Sequence, residues 1–283
     1  MVDPNFSESQ LQSAVNGALV RHAWEYHGAW LLPHVVSLWD EFDLGWDTAF
    51  VVPWFGGGHP DQDGCNLFIQ YKLSDQLVSQ GAAQWAHWNE PYYRFKIPHS
   101  TLGKSKKYID DFHQWESLAK LAKAGYATFY ATNSTLCKKE LQAHYNAGEL
   151  LDRIAWLDVH DVKHKKHRHV TFTPESNFFY LHSELEKVNR RPIVEVLIHL
   201  SEERLNESLP RANERLIAYL AEILEQEGSE QGGGPYRDEL ARIRNFSADG
   251  NDAFFARRVH LLLRSFVSRY LGATLLWIPR RTG

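Results

Sequence analysis

Two apolar, β-branched and aromatic runs lie close together early in the chain, at residues 48–55 (TAFVVPWF) and 66–73 (NLFIQYKL). Between them stand Gly56, Gly57, Gly58, Pro60 and Asp63-Gly64, which are turn formers. The pattern predicts two strands joined by a glycine-rich loop. Ahead of them Leu11, Ala18, Glu25 and Leu32 recur at sevens, with Val15, His22 and Ala29 filling the intervals. That stripe predicts a helix over residues 10–32, capped by Ser7 or Ser9 and stopped near Pro33. Residues 74–91 suggest a helix or an irregular crossing. Residues 92–97 alternate, with Tyr93, Phe95 and Ile97 on one side and Arg94 and Lys96 on the other. A helix is expected over 109–124, closed by Gly125, and a strand over 127–131. Then come a helix capped by Ser134 or Thr135, a strand over 154–162, and a short strand followed by a helix within 171–188. From about Ser183 the character turns helical, with helices over 193–200, 203–226, 236–245 and 252–271 and breaks at 229–235 and 248–252. Two regions follow from this, 1–182 and 183–283.

One strand breaks its own pattern. Gln70 and Lys72 are two apart and share a face, while Ile69 and Tyr71 take the other. An amide and an ammonium on one side of an apolar strand mark a functional candidate. Asp47 stands at the mouth of the preceding strand as an acidic companion. Asp63 lies closer along the chain to Gln70, and Asp40, Glu41, Asp43 and Asp61 are further rivals. Glu25 falls in an otherwise mostly apolar helix stripe, where a carboxylate is costly unless paired or bound to metal; the other reading of it is an acid at the helix edge paired with Arg21 or a nearby histidine. Gln114 sits one turn before Leu118 on the apolar side of its helix.

An acid, a hairpin and then Gln-x-Lys resembles the Gln-x-Lys variant of the PD-(D/E)xK nuclease superfamily. The run FHQWESLAKLAKAGYATFYAT resembles a second element of the Mrr-like and RecB-like groups: glutamine, helix, glycine, apolar strand. The resemblance is one of pattern and order and spans roughly residues 10–180. It implies an α/β fold with a restriction-endonuclease-like αβββαβ core, here followed by a mostly helical C-terminal region. It also implies hydrolysis of DNA phosphodiester bonds with Mg2+ or Mn2+, and a role as an effector of bacterial antiphage defence. Catalytic positions would be Asp47, Gln70, Lys72 and Gln114; metal ligands would be Glu25, Asp47 and Gln70. Magnesium takes hard oxygen donors and keeps several waters, so an amide oxygen can serve beside carboxylates. The alternative is a nuclease-like subunit that no longer cuts and binds nucleic acid or a partner protein, because an amide in place of an acid weakens metal affinity.

The chain has 283 residues, 43 % hydrophobic and 23 % charged, with a net charge of -4. This is an ordinary globular composition, and nucleic-acid contact must then rest on local patches. Arg94 and Lys96 form one, the loop with Lys104, Lys106 and Lys107 a second, and Lys163 with Lys165, Lys166 and Arg168 of the adjoining HKKHRH stretch (164–169) a third. Histidines 160, 164, 167 and 169 offer a transition-metal reading, which the interleaved cations oppose. Two cysteines without metal-ligand spacing, no leader-like start and no long apolar span point to a cytoplasmic, non-membrane protein. Neither a Walker A nor a GxGxxG motif occurs, so ATP or NAD use is not expected. The helical C-terminal region is the expected place for an activating partner or a homo-oligomer contact.

Overall fold

The computed structural model describes residues 1–27, 64–102, 108–164, 166–202, 207–226, 234–248 and 253–279. It forms two compact units, residues 1–19 with 68–196 and residues 20–67 with 197–283. The elements in order are α1 (Glu8–His27), β1 (Gly64–Lys72), β2 (Asp75–Leu77), α2 (Trp85–Trp88), β3 (Tyr92–Lys96), β4 (His99–Leu102), β5 (Tyr108–Asp111) and α3 (His113–Lys123). Then follow β6 (Ala127–Asn133), α4 (Lys138–Ala147), α5 (Leu150–Arg153), β7 (Ile154–Asp158), a 3-10 turn over Val159–Asp161, β8 (His169–Phe172), β9 (Phe178–His182) and β10 (Glu186–Asn189). The chain continues through α6 (Ile193–Glu202), α7 (Leu209–Gln226), α8 (Gly234–Ala248), α9 (Ala253–Leu271) and β11 (Thr274–Pro279). The chain is thus mixed α/β, as its pattern predicts.

In the first unit β6 lies between β1 and β7. The ring of Phe68 meets that of Tyr126 edge-on at 5.4 Å, and Ser74 Oγ is 2.6 Å from Thr132 Oγ1. The sequence offset is 58 residues at both ends, so β1 and β6 run parallel, joined by a crossover that includes α3. β7 is antiparallel to β6, from Phe129↔Asp158 to Asn133↔Ile154. β6 and β7 are buried almost throughout, as a sheet covered on both faces requires.

A second sheet of this unit, in the order β10-β9-β8-β3-β2, is antiparallel. Its inner face carries Tyr93, Phe95, Val170, Phe172, Phe179, Leu181 and Val188, all buried. Phe95 reaches Tyr130 of β6 at 5.9 Å between ring centroids, and Trp115 of α3 stacks on the same tyrosine at 6.0 Å. α3 ends in a Schellman turn: Gly125 N–H donates to Ala122 O and Tyr126 N–H to Leu121 O, with Gly125 at φ +85°.

The second unit's described part is a helical layer in which α9 touches α7, α8 and β11. Leu216, Leu220, Leu224, Leu263 and Phe266 fill it. Asn213 is buried among them and satisfied: its Nδ2 donates to Ala256 O at 2.7 Å and its Oδ1 lies 3.1 Å from His260 Nδ1. β11 neighbours β1, whose opening residues up to Leu67 belong to this unit.

Several expectations change. The strand expected over 48–55, its glycine loop and the end of the first helix lie outside the described residues. The helix expected from 109 begins at His113, because residues 108–111 pair with β4 instead. The helix expected within 171–188 is absent: residues 178–182 and 186–189 form a hairpin whose buried Phe179, Leu181 and Val188 need the sheet core. That hairpin belongs to the first unit, whose second stretch runs from Phe68 to Val196. α4 starts at Lys138 with Cys137 before it, and neither Ser134 nor Thr135 caps it; Thr135 Oγ1 instead accepts from Cys137 N–H at 3.2 Å. β11, an apolar run after the last helix, was not expected. The helices over 193–202, 209–226, 234–248 and 253–271 agree with the pattern.

Candidate active site

From Asn66 to Lys72 every residue of β1 is buried, so whatever its polar side chains meet must come from the fold rather than from water. On one face Tyr71 Oη donates to Asn16 Oδ1 of α1 at 2.8 Å, and burial pushes this phenol far above its usual range. On the other face Gln70, 2 % exposed, donates from Nε2 to Oε1 of Gln114, the second residue of α3. The Gln70 carbonyl oxygen is buried and has no hydrogen-bond partner. Two residues on, Lys72 is 7 % exposed. Burial lowers its pKa below the ordinary lysine value, and the charge of Glu8 in the first turn of α1 works the other way. Beyond it, Ser74 is locked to β6: its N–H donates to Asn133 Oδ1 at 2.8 Å and Asn133 Nδ2 donates back to Ser74 O at 3.0 Å. The C-terminal end of β1 is therefore tied to β6 through Ser74 and to the start of α3 through Gln70.

Chemically the cluster offers one unsatisfied hard oxygen, one amine with a lowered pKa and one amide that fixes the first. An unsatisfied buried carbonyl oxygen suits a cation or a strong donor. A divalent ion also needs a carboxylate there. Among the described residues no group of three or more His, Cys, Asp or Glu side chains could hold a metal ion. Gln70 thus fits as one ligand of a set whose acids would have to come from elsewhere.

Comparison with protein-family models, with characterised proteins and with solved structures finds no match.

Of the residues expected at the site, the structure hydrogen-bonds Gln70 to Gln114, and Lys72 follows two residues on along the same face of β1. Asp47 lies outside the described residues, as do its rivals Asp40, Glu41, Asp43, Asp61 and Asp63, and so do Lys104, Lys106, Lys107 and Lys165. Glu25 does not sit in an apolar face. The buried stripe of α1 runs through Leu11, Val15, Ala18 and His22, and the Glu25 side chain is 53 % exposed, 3.9 Å from Arg21. The stripe drifts because 3.6 residues per turn do not divide seven.

Arg94 and Lys96 do not flank the Gln70 cluster. Phe95 points from β3 toward Tyr130, so its two neighbours point away from the sheet that holds β1. The HKKHRH stretch is tied down by Glu186, a residue without any signal in the sequence. Its carboxylate accepts from Lys163 N–H at 2.8 Å and His164 N–H at 3.1 Å, and lies 3.0 Å from His167 Nε2. Burial pushes the Glu186 pKa up, but the two backbone donors and His167 outweigh it and hold it below the usual range. Lys166 pairs with Glu116 at 3.4 Å, and Arg168 with Asp110 at 3.0 Å; Lys163 is exposed. The charge of Glu8 on Lys72 likewise has no signal in the sequence. Glu8 reads in the sequence only as an acid in a first helical turn, where it complements the helix dipole.

Proposed function

We propose that the chain is a metal-dependent endonuclease that hydrolyses DNA phosphodiester bonds at the Gln70–Gln114–Lys72 cluster. One observation carries this reading. Two glutamines 44 residues apart, one on a strand and one on the helix of the following crossover, are hydrogen-bonded beside a buried lysine. The resemblance expects those three positions to converge, and an ordinary sheet would fill them with apolar side chains.

In this reading Gln70 Oε1 and the carboxylate of Asp47, with Asp63 as the rival, would hold magnesium or manganese. The bound ion would lower the pKa of a water and offset charge on the scissile phosphate. Gln114 orients the Gln70 amide so that its oxygen stays free. Lys72, with its proton held loosely by burial, steers the attacking water or neutralises charge developing on the phosphoryl oxygens. The resemblance also supports the narrower reading of an antiphage effector.

The test is cleavage of plasmid and linear duplex DNA with magnesium or manganese, comparing the wild type with Lys72→Ala and Gln70→Ala. Metal-dependent cutting by the wild type, reduced at least about 100-fold in Lys72→Ala, is the expected result. Cutting that persists in both variants would move the site off β1. Duplex binding with no cutting by the wild type would point to a subunit that binds without cleaving.

A further inference from the structure

The outer face of the β10-β9-β8-β3-β2 sheet is turned away from the Gln70 cluster, and its side chains are ordered in rows. Strand register sets Lys96, His169 and His182 side by side, and in the next row Arg94, Thr171, Tyr180 and Lys187. The short helix α2 leans on this face. Trp88 Nε1 donates to Thr171 Oγ1 at 3.0 Å, and its ring stacks on Phe178 at 5.3 Å. The His87 ring lies 5.4 Å from those of both Tyr180 and His182. Lys187 Nζ sits 3.8 Å above the Phe178 ring. The half-buried rings of Trp88, Phe178 and Tyr180 thus form one packed cluster on this face, with the exposed His87 ring at its edge and Lys187 over Phe178.

Two carboxylates face the same surface: Asp75 is the cross-strand partner of Arg94, and Asp110 pairs with Lys96 at 2.9 Å and with Arg168 at 3.0 Å. A phosphate on Lys96 would have to compete with Asp110, which also holds Arg168. Burial lowers the pKa of both His182 and His169, helped at His182 by His87 and at His169 by Arg94 and Lys96, so both are neutral at pH 7. They offer flat rings and hydrogen bonds without adding charge.

We propose that this face binds single-stranded nucleic acid, with phosphates on Arg94, Lys96 and Lys187 and bases stacked on the rings of Tyr180 and His87. The charge complements a phosphodiester backbone, and ring faces on a sheet floor can stack only on bases that have left a duplex. The surface rests on the nucleic-acid part of the reading above, not on cleavage.

The experiment is fluorescence anisotropy in EDTA, which suppresses any cutting. The full chain is titrated against a labelled oligothymidylate of about twelve nucleotides and a duplex of the same length. The wild type is expected to prefer the single strand by about 10-fold. The Arg94→Gln/Lys96→Gln double variant should bind about 10-fold more weakly with a shallower salt dependence. Tyr180→Leu should weaken binding about 10-fold with the salt dependence unchanged. Lys187→Gln, at an exposed position, serves where either of these fails to fold by circular dichroism and melting.

Equal or tighter binding to duplex, or wild-type affinity in all folded variants, would overturn the proposal. So would concentration-dependent self-association abolished by the same substitutions, which would assign the face to a second copy of the chain. Single-strand binding without plasmid cleavage leaves this inference standing and removes the endonuclease reading; cleavage without single-strand binding does the reverse.

Discussion

Lys72 is buried on a strand whose other members are mostly apolar, and its stability and its chemistry pull in opposite directions. Burial lowers its folded-state pKa below 10.5. Between the lowered value and 10.5 the unfolded chain binds the proton and the folded chain does not, so stability rises with pH through that window. Lys72→Met should remove that rise and leave the protein as stable or more stable at neutral pH, by on the order of 1 kcal/mol. Denaturant titration at neutral and alkaline pH reads both effects, and loss of cleavage in the same variant would separate activity from folding. His182 gives the acid-side counterpart. Its pKa is lowered from 6.5 to about 4, first by burial and then by His87. The stability this contributes is complete above 6.5 and is lost as pH falls toward 4. After allowance for its partial exposure the loss is on the order of 1 kcal/mol. His182→Gln should flatten the stability profile in that window, incompletely, because His260, pushed down to about 3 by burial and Arg264, titrates there as well.

The α3 terminus and the β9–β10 hairpin rest on single residues. A Cβ at Gly125 would meet nothing within 4 Å, so the cost of Gly125→Ala is backbone strain alone at φ +85°. The expected loss is about 1–2 kcal/mol, read as a lower melting temperature. Glu186→Gln weakens the carboxylate that accepts from Lys163, His164 and His167. It should cost about 1–3 kcal/mol and increase amide exchange at positions 163 and 164. Both elements also mark how far local pattern carries. Gly125 was readable as a helix stop because its chemistry is local. Residues 183–188, rich in helix formers, became a turn and an edge strand because Val188 is buried only when β10 pairs with β9.

The division into units bears on how the chain can be cut. A chain ending at His182 would lose β10 and with it the carboxylate of Glu186, leaving β9 as an exposed edge and the 163–168 segment without its anchor. We expect such a truncation to be aggregation-prone and to melt well below a chain ending at Val196, with light scattering and thermal denaturation as the measurements. The first unit's parallel β1–β6 pair depends on a crossover of more than fifty residues, a contact that local propensity does not encode.

What the sequence by itself determined is local: the apolar run of β1, the alternation of β3, the strand at β6, the long C-terminal helices and the polar intrusion of Gln70 and Lys72. Period and turn chemistry depend on neighbours a few residues away, so they are legible without a fold. Only the tertiary structure decided that Gln114 meets Gln70, that Arg94 and Lys96 face away from that pair, that Glu25 is exposed and that Glu186 anchors the histidine-rich stretch. These are facts of burial and of contacts between residues far apart in sequence. They are set by which faces the sheets and helices close against one another, and that choice minimises exposed apolar surface over a whole unit rather than over any one segment.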